Sequence, residues 1–263
     1  MDAKIVIDGI SKGFTKNGKT LPVIDGLSLK VKDGEFVAIV GPSGCGKSTL
    51  MKMISGFAMP DSGSVRIAGE KVTGPSPKGI VISQHGAVFP WLTVRENLMF
   101  GLNRGTPQEK RELADHYAEM VGLKGFEHAY PRELSGGMLK RVEIARALVV
   151  KPEILYMDEP FSALDALMNL RIRNELLRIL QEERHTVILI THDVEEALYL
   201  ADRIVVLSQR PTTIQRTFQV SQLSQPHPRR LSNPQLQQMK DEILLELGLD
   251  LDQSADVVEQ RQA

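Results

Sequence analysis

A run of glycines interrupted by a lysine and a hydroxyl is where residue types and spacing in this chain first suggest chemistry. Gly41-Pro42-Ser43-Gly44-Cys45-Gly46-Lys47-Ser48, followed by Thr49, fits G-x-x-x-x-G-K-[ST]. Glycines let successive backbone N–H groups turn toward one anion, and a helix starting at the loop adds its positive end. A nucleoside triphosphate is the anion that suits this pattern. Lys47 is expected to reach its β- and γ-phosphates, and the Ser48 hydroxyl to hold Mg²⁺. The bland alternative is a glycine turn before a helix. Kinases, GTPases, helicases and transport ATPases share such loops, so the loop alone does not say what the triphosphate is for.

Two further stretches narrow the choice. Ile154-Leu155-Tyr156-Met157-Asp158-Glu159 reads as a buried strand ending in two carboxylates, at the sheet edge where α/β folds bind ligands. Asp158 is expected in the Mg²⁺ shell, since a hard cation takes oxygen ligands. Glu159 would face the γ-phosphate and orient or deprotonate a water. The alternative is a strand end with solvated acids. Leu134-Ser135-Gly136-Gly137-Met138 precedes a helical pattern over Leu139–Val150, which makes Ser135, Gly136 and Gly137 a second anion loop at a helix N-terminus. One chain binding one triphosphate does not need two such loops. The second is therefore expected to close on the γ-phosphate held by another copy, in a dimer with shared sites.

These residues need elements that bring loops to strand ends. Glu35–Val40 reads as a buried strand before the glycine loop, and Lys47–Ile54 as a helix after it. Ile80–Ser83, Ile154–Met157, Val187–Thr191 and Ile204–Leu207 are continuous apolar runs that suit a parallel sheet buried on both faces. Ile5–Ile10, Val23–Val31 and Ser64–Ile67, split by turn residues, suggest a small antiparallel sheet. Helical patterns over Thr106–Val121 and Ser135–Val150 mark an insert. The expectation is an α/β fold: a mostly parallel core sheet, an N-terminal antiparallel β-subdomain and an inserted helical subdomain at about residues 86–152 of an ATPase domain spanning 1–225. Residues 226–263 read as a short helix and a polar tail. Asn233 caps that helix, Pro234 opens it, and Leu236, Met239, Ile243, Leu244 and Leu247 share a face. The face is expected to pack on the core, with a partner as the alternative. The last dozen residues read as disordered.

Composition excludes several classes. The 263 residues are 42% hydrophobic and 25% charged, ordinary for a globular protein. A net charge of −1 supplies no basic field to recruit nucleic acid. The N-terminus lacks the apolar core of a secretory signal, and no apolar run approaches the ~20 residues of a membrane span. With the single cysteine, these features predict a cytosolic protein.

The motifs together resemble the ATP-binding cassette (ABC) ATPases. Their signature, usually Leu-Ser-Gly-Gly-Gln before a basic helix, stands here as LSGGMLKRVEIARAL. The Ser and both Gly remain, so phosphate contact is expected to survive. Met138 affects a polar contact near the ribose or the opposing loop. The resemblance implies that Gln84 adds a Mg²⁺ or water contact and joins the core to the insert. It also implies that Ser162-Ala163-Leu164-Asp165 packs on its counterpart across the dimer, that His192 hydrogen-bonds the γ-phosphate and that Phe14 stacks on adenine. Phe serves where the family more often has Tyr, because stacking needs only the π-face. His116, His128, His185 and His227 show no ligand spacing and are expected to be solvated, whereas His85 adjoins Gln84. Cys45, beside a helix N-terminus, is expected to alkylate readily and to be protected by Mg-ATP.

Within the family, FPWLTV at 89–94, LSGGM and DEPFSALDAL resemble the bacterial nitrate, sulfonate, taurine and bicarbonate importer group. That resemblance implies permease subunits contacting roughly Gln84–Phe100, with Phe89 and Trp91 as interface anchors. Burial of Trp91 in the insert is the alternative. A periplasmic solute-binding protein would act indirectly, the chain would sit on the cytoplasmic face of the inner membrane, and the stretch after His192 is too short for a large sensor domain. The rival readings are a small-molecule kinase, a soluble ABC ATPase of iron–sulfur assembly and a lipid-trafficking or export ATPase.

Overall fold

The computed structural model of the chain describes residues 3–16, 18–83, 88–162, 164–182, 185–223 and 229–249. Gln84, His85, Ala163, His227 and the terminal dozen residues therefore lie outside the described residues. In chain order the strands are β1 (Ala3–Lys16), β2 (Lys19–Lys32), β3 (Phe36–Val40), β4 (Ser62–Ile67), β5 (Glu70–Lys71), β6 (Gly79–Ile82), β7 (Ile154–Asp158), β8 (Thr186–Ile190), β9 (Arg203–Leu207) and β10 (Ile214–Gln219). The α-helices are α1 (Lys47–Ile54), α2 (Val94–Met99), α3 (Pro107–Met120), α4 (Gly136–Leu148), α5 (Ala166–Glu182), α6 (Val194–Leu200) and α7 (Pro234–Glu246). The chain divides into two compact units: residues 1–76 with 188–263, and residues 77–187.

In the first unit, β2-β1-β4-β5 form an antiparallel sheet. Leu27, Leu29 and Val31 of β2 point inward while Ser28, Lys30 and Lys32 point out, the period-two signature of a sheet with one wet face. A second sheet carries the order β10-β9-β3-β8. Strand β3 runs parallel to β9, with Val37 opposite Arg203 and Val40 opposite Val206, and all five β3 residues are buried. Burial on both faces is what selects an uninterrupted apolar run, Phe-Val-Ala-Ile-Val, and it points the carboxyl end of β3 at the glycine loop. At the other end of β3, the Phe36 N–H donates to Asp202 Oδ2 (3.0 Å), and the Asp202 N–H donates to the Phe36 carbonyl (2.8 Å). Helix α7 is capped by Asn233, buries Leu236 and Ile243, and pairs its Lys240 with Glu195 of α6 at 2.6 Å.

In the second unit, β6 runs parallel to β7, with Gly79 opposite Ile154 and Ile82 opposite Met157. Capping boxes open α2 (Thr93 with Glu96) and α3 (Thr106 with Glu109), each satisfying two orphan donors of a helix N-terminus. Over residues 88–93, just before α2, the chain is irregular, and Asn97 replaces its missing secondary structure. The fully buried Asn97 amide accepts from the Phe89 N–H (2.8 Å) and donates toward the carbonyls of Phe89, Leu92 and Thr93 at 3.0–3.1 Å.

This is the α/β arrangement expected from the sequence, with most expected strand and helix ends within a few residues of their places, although β1 runs on to Lys16 rather than stopping at Ile10. Helix α5, seventeen residues long, was not among the expected helices, although its buried Ile172, Leu176, Leu177 and Ile179 fall on a helical spacing. One histidine corrects the expectation. His185 is 8% exposed, with its ring Nδ1 against the Pro152 carbonyl, so it is a buried structural histidine rather than a solvated one.

Replacing Asn97 by Ala strips four backbone groups of their shared partner. Thermal or denaturant unfolding should show a loss of about 2–4 kcal/mol. A loss under ~0.5 kcal/mol would mean that the turn before α2 does not depend on this side chain.

Candidate nucleotide-binding site

In the first unit the glycine loop is fixed from outside by the β9–β10 hairpin. A Cβ on Gly41 would lie 3.0 Å from Leu207 Cβ and 3.1 Å from Cys45 Sγ. At Gly46, with φ +124°, it would lie 2.7 Å from Val23 Cγ1. Thr212 donates its hydroxyl to the Cys45 carbonyl, and its backbone bonds to Val23 and Asp25. Little beyond a hydrogen fits at Gly41 or Gly46 without moving a neighbour, so the backbone is held in a turn that favours glycine at these two positions. Helix α1 begins directly at Lys47. The Lys47 side chain folds back over the loop, donating to the carbonyls of Gly41 (2.7 Å) and Pro42 (3.0 Å) and leaving one of three ammonium donors beyond those two contacts. Ser43, Gly44 and Ser48 are exposed, and Pro42 and Thr49 are half-buried. The arrangement has what a polyphosphate needs: a glycine turn, a centred ammonium and an outward hydroxyl.

The thiol of Cys45 is not where the alkylation expectation needs it. It is 2% exposed and packs beneath the loop against Gly41, so a reagent must open the loop to reach it. Phe14, on β1, is 52% exposed, with the Lys12 ammonium 5.9 Å from its ring centroid. His192 follows β8 and is exposed, at the start of a turn in which the Asp193 N–H donates to Thr191 Oγ1 (3.0 Å) and Asp193 caps α6 through the Glu196 N–H (3.1 Å).

In the second unit, Ser135 caps α4, accepting from the Met138 N–H at 3.3 Å. Ser135 and Gly136 are exposed, and a Cβ at Gly136 would meet nothing within 4 Å. Internal packing therefore does not demand a glycine there; what it provides is an open backbone at a helix N-terminus. Asp158 ends β7 half-buried, and Glu159 follows half-buried with φ +48°, a left-handed conformation that costs a non-glycine residue about 1–3 kcal/mol. Ser162 Oγ donates to the Glu159 carbonyl (3.1 Å), and Asp165 Oδ1 accepts from the Met168 N–H (3.0 Å), so this turn is fixed by its own side chains.

Of the expected site residues, Phe14, Gly41–Thr49 and His192 thus belong to the first unit. Ser135–Gly137, Asp158 and Glu159 belong to the second, and Gln84 lies outside the described residues. Among the described residues, no group of three or more His, Cys, Asp or Glu is placed to hold a metal by itself. Ser48, exposed in the first unit, and Asp158, half-buried in the second, each carry an oxygen donor of the kind Mg²⁺ takes.

Sequence reasoning missed a buried ion pair next to these motifs. Lys140 and Glu143 on α4 are 5% and 2% exposed and meet at 2.9 Å, and Lys140 also donates to the Ser83 carbonyl at the end of β6. A Lys-x-x-Glu spacing on a helix ordinarily reads as a solvated surface pair, so nothing in the sequence marked this one. Further along α4, the Arg146 guanidinium lies 4.8 Å from the Phe89 ring, which packs on Phe100 (4.4 Å) and Trp91 (5.5 Å). Trp91 is 69% exposed and Phe100 64%, so Trp91 is not buried in the insert. A cavity of about 180 Å³ lies beside this group, lined by Phe89, Phe100, Glu143, Arg146 and neighbours.

Comparison with known proteins places these features in one family. The sequence profile of the ABC transporter family matches residues 24–162. The aliphatic sulfonates import ATP-binding protein SsuB of Bacillus cereus is 41% identical over 240 residues, covering 91% of this chain and 94% of that protein. The nitrate import ATP-binding protein NrtD of Synechocystis is 44% identical over 217 residues, 82% of each chain. Among solved structures, the dimeric ATP-binding cassette MJ0796 in a post-hydrolysis state bound to ADP and Pi superposes with a TM-score of 0.75. It is 30% identical, covering 82% of this chain and 98% of that one. The fold and motifs define an ATP-binding cassette ATPase. The chain belongs to the ABC transporter family.

Burial predicts that Cys45 reacts with a thiol reagent at least ~10-fold more slowly than in the unfolded chain, as measured by colorimetric titration; equal rates would mean the loop opens freely. Gly46→Ala, which forces a Cβ into Val23 at an unsuitable φ, should cost about 1–3 kcal/mol of stability and weaken ATP binding at least ~10-fold in equilibrium dialysis.

Proposed function

We propose that this chain is the ATP-hydrolysing subunit of a membrane importer for a small anion, of nitrate, bicarbonate or sulfonate type. The observation that carries the reading is the likeness to sulfonate and nitrate import ATP-binding proteins over four-fifths or more of the chain. It is supported by the exposed rings of Trp91 and Phe100, packed on a half-buried Phe89, which suit a permease contact within roughly Gln84–Phe100. Among the described residues no helix is long and apolar enough to cross a membrane, so the membrane path would belong to separate permease subunits. The chain would work peripherally at the cytoplasmic face, with a periplasmic solute-binding protein acting on it indirectly.

In this reading two cassettes, identical or closely related, bind two ATP molecules head to tail. Each nucleotide lies between Gly41–Thr49 of one chain and Ser135–Gly137 of the other, with Phe14 on the adenine. Bound Mg²⁺, held by Ser48 and Asp158 together with Gln84, would neutralise phosphate charge. The Lys47 ammonium would exchange its loop carbonyls for the β- and γ-phosphates, Glu159 would orient and deprotonate the attacking water, and His192 would donate to the γ-phosphate. The work is chiefly positioning and charge stabilisation, the general pattern of phosphoryl transfer. Closure would move the permease through the aromatic turn, and hydrolysis would reset it. We assign this work to an ATPase domain of residues 1–225, with residues 86–152 as its helical insert and 226–263 as an appended helix and tail.

Glu159→Gln should keep ATP binding, accumulate a closed dimer in size-exclusion chromatography and lose turnover by ~10²-fold or more; near-normal hydrolysis would remove Glu159 from its role. Ser135→Arg should abolish turnover while the monomer still binds ATP. If monomer binding is lost instead, Ser135 serves the chain's own site. Co-purification with a membrane protein separates the importer reading from a soluble ABC ATPase.

A further inference from the structure

We propose that the buried Lys140–Glu143 pair is a positioning device that locks the helix behind the Ser-Gly-Gly loop to the β6 strand end and the aromatic turn, so that these elements move together. The inference deepens the proposed function and rests on its reading of Ser135–Gly137 as the loop that completes a partner's ATP site. The pair sits less than two turns into α4, the helix Ser135 caps. Lys140 spends one donor on Glu143 Oε2 and another on the Ser83 carbonyl, while Ser83 Oγ approaches Glu143 Oε1 at 3.5 Å. Ser83, which follows β6 and precedes the Gln84 segment, is thereby bolted to α4 from the side.

The other flank of that segment is tied to the same helix. Residues 140, 143 and 146 recur every three positions along α4, and Arg146 lies over the Phe89 ring. Phe89 is held in turn by Asn97 through both its N–H and its carbonyl. One helix face therefore touches Ser83 on one side and Phe89 on the other, and its N-terminus carries Ser135–Gly137. A purely packing role is a poor explanation for the ions. Two buried charges cost several kcal/mol to desolvate, and apolar residues of similar volume usually hold a core as well or better. What an ion pair with a third, backbone partner supplies is a fixed register between α4 and β6.

That distinction gives the test, made on the full-length purified chain. The double replacement Lys140→Met with Glu143→Leu should melt at or above the wild-type temperature and keep the KM for ATP within about twofold, because apolar packing replaces the ions. Its kcat should nevertheless fall about tenfold. A kcat within twofold of wild type overturns the proposal, as does a kcat loss that tracks a fall in melting temperature. Should the double variant not fold, Glu143→Gln keeps the shape and removes the charge. It should lower kcat about threefold or more at unchanged KM, and an unchanged kcat again overturns the proposal. Ser135→Arg, run in parallel, separates the two levels: normal turnover there removes the signature-loop reading itself and this inference with it, whereas an inactive Ser135→Arg beside a fully active Lys140/Glu143 variant removes only the positioning role.

Discussion

The constraint on which the first unit depends is the lack of room behind a glycine turn. Strand β3, buried on both faces, delivers the chain to Gly41, where Leu207 and Cys45 leave no space for a side chain. Gly46 then turns against Val23, and helix α1 starts one residue later. The β9–β10 hairpin and the second strand of the antiparallel sheet both converge on this turn, through Thr212 and Val23. An anion cradle made of backbone N–H groups is only as good as the rigidity of that backbone, since donors held in place lose little on binding. Here rigidity comes from neighbours packed against missing Cβ atoms, together with the Lys47 and Thr212 hydrogen bonds to the loop carbonyls.

The second unit solves a different problem with different means. Its motifs lie on irregular turns, where backbone groups need individual partners. Side chains supply them: Ser135 caps α4, Ser162 and Asp165 fix the turn after Glu159, Asn97 serves four groups around Phe89, and Lys140 reaches Ser83. Glu159 itself pays in backbone conformation, with a positive φ that the adjoining turn holds in place. Strained non-glycine residues at strand ends often mark functional positions.

Much of this was legible in the chain alone, for identifiable reasons. The strands around the glycine loop are buried on both faces, so their apolar runs stand out without an alternation to decode, and the caps at Ser135 and Asn233 announce their helices. The glycine loop and the Ser-Gly-Gly loop were readable because their chemistry dictates residue type at a few fixed positions: Gly41, Gly46, Lys47 and Ser48 in one, Ser135, Gly136 and Gly137 in the other. The remainder depends on burial, which spacing does not encode. Lys140 and Glu143 look like an exposed helical pair until β6 covers them, and Cys45 looks reactive by its place near a helix N-terminus until the loop closes over it. His185 likewise reads as one more polar residue and is in fact enclosed against Pro152.

Trp91 is the only tryptophan among the 263 residues, and it stands on the exposed aromatic turn beside Phe89 and Phe100. Excited beyond the absorption of the four tyrosines, the intrinsic fluorescence of the chain is therefore a local signal. An indole passing from water to a covered, apolar setting shifts its emission to shorter wavelength. Whatever comes to rest on that turn announces itself in the spectrum of the unlabelled protein, and the turn behind α4 carries its own reporter.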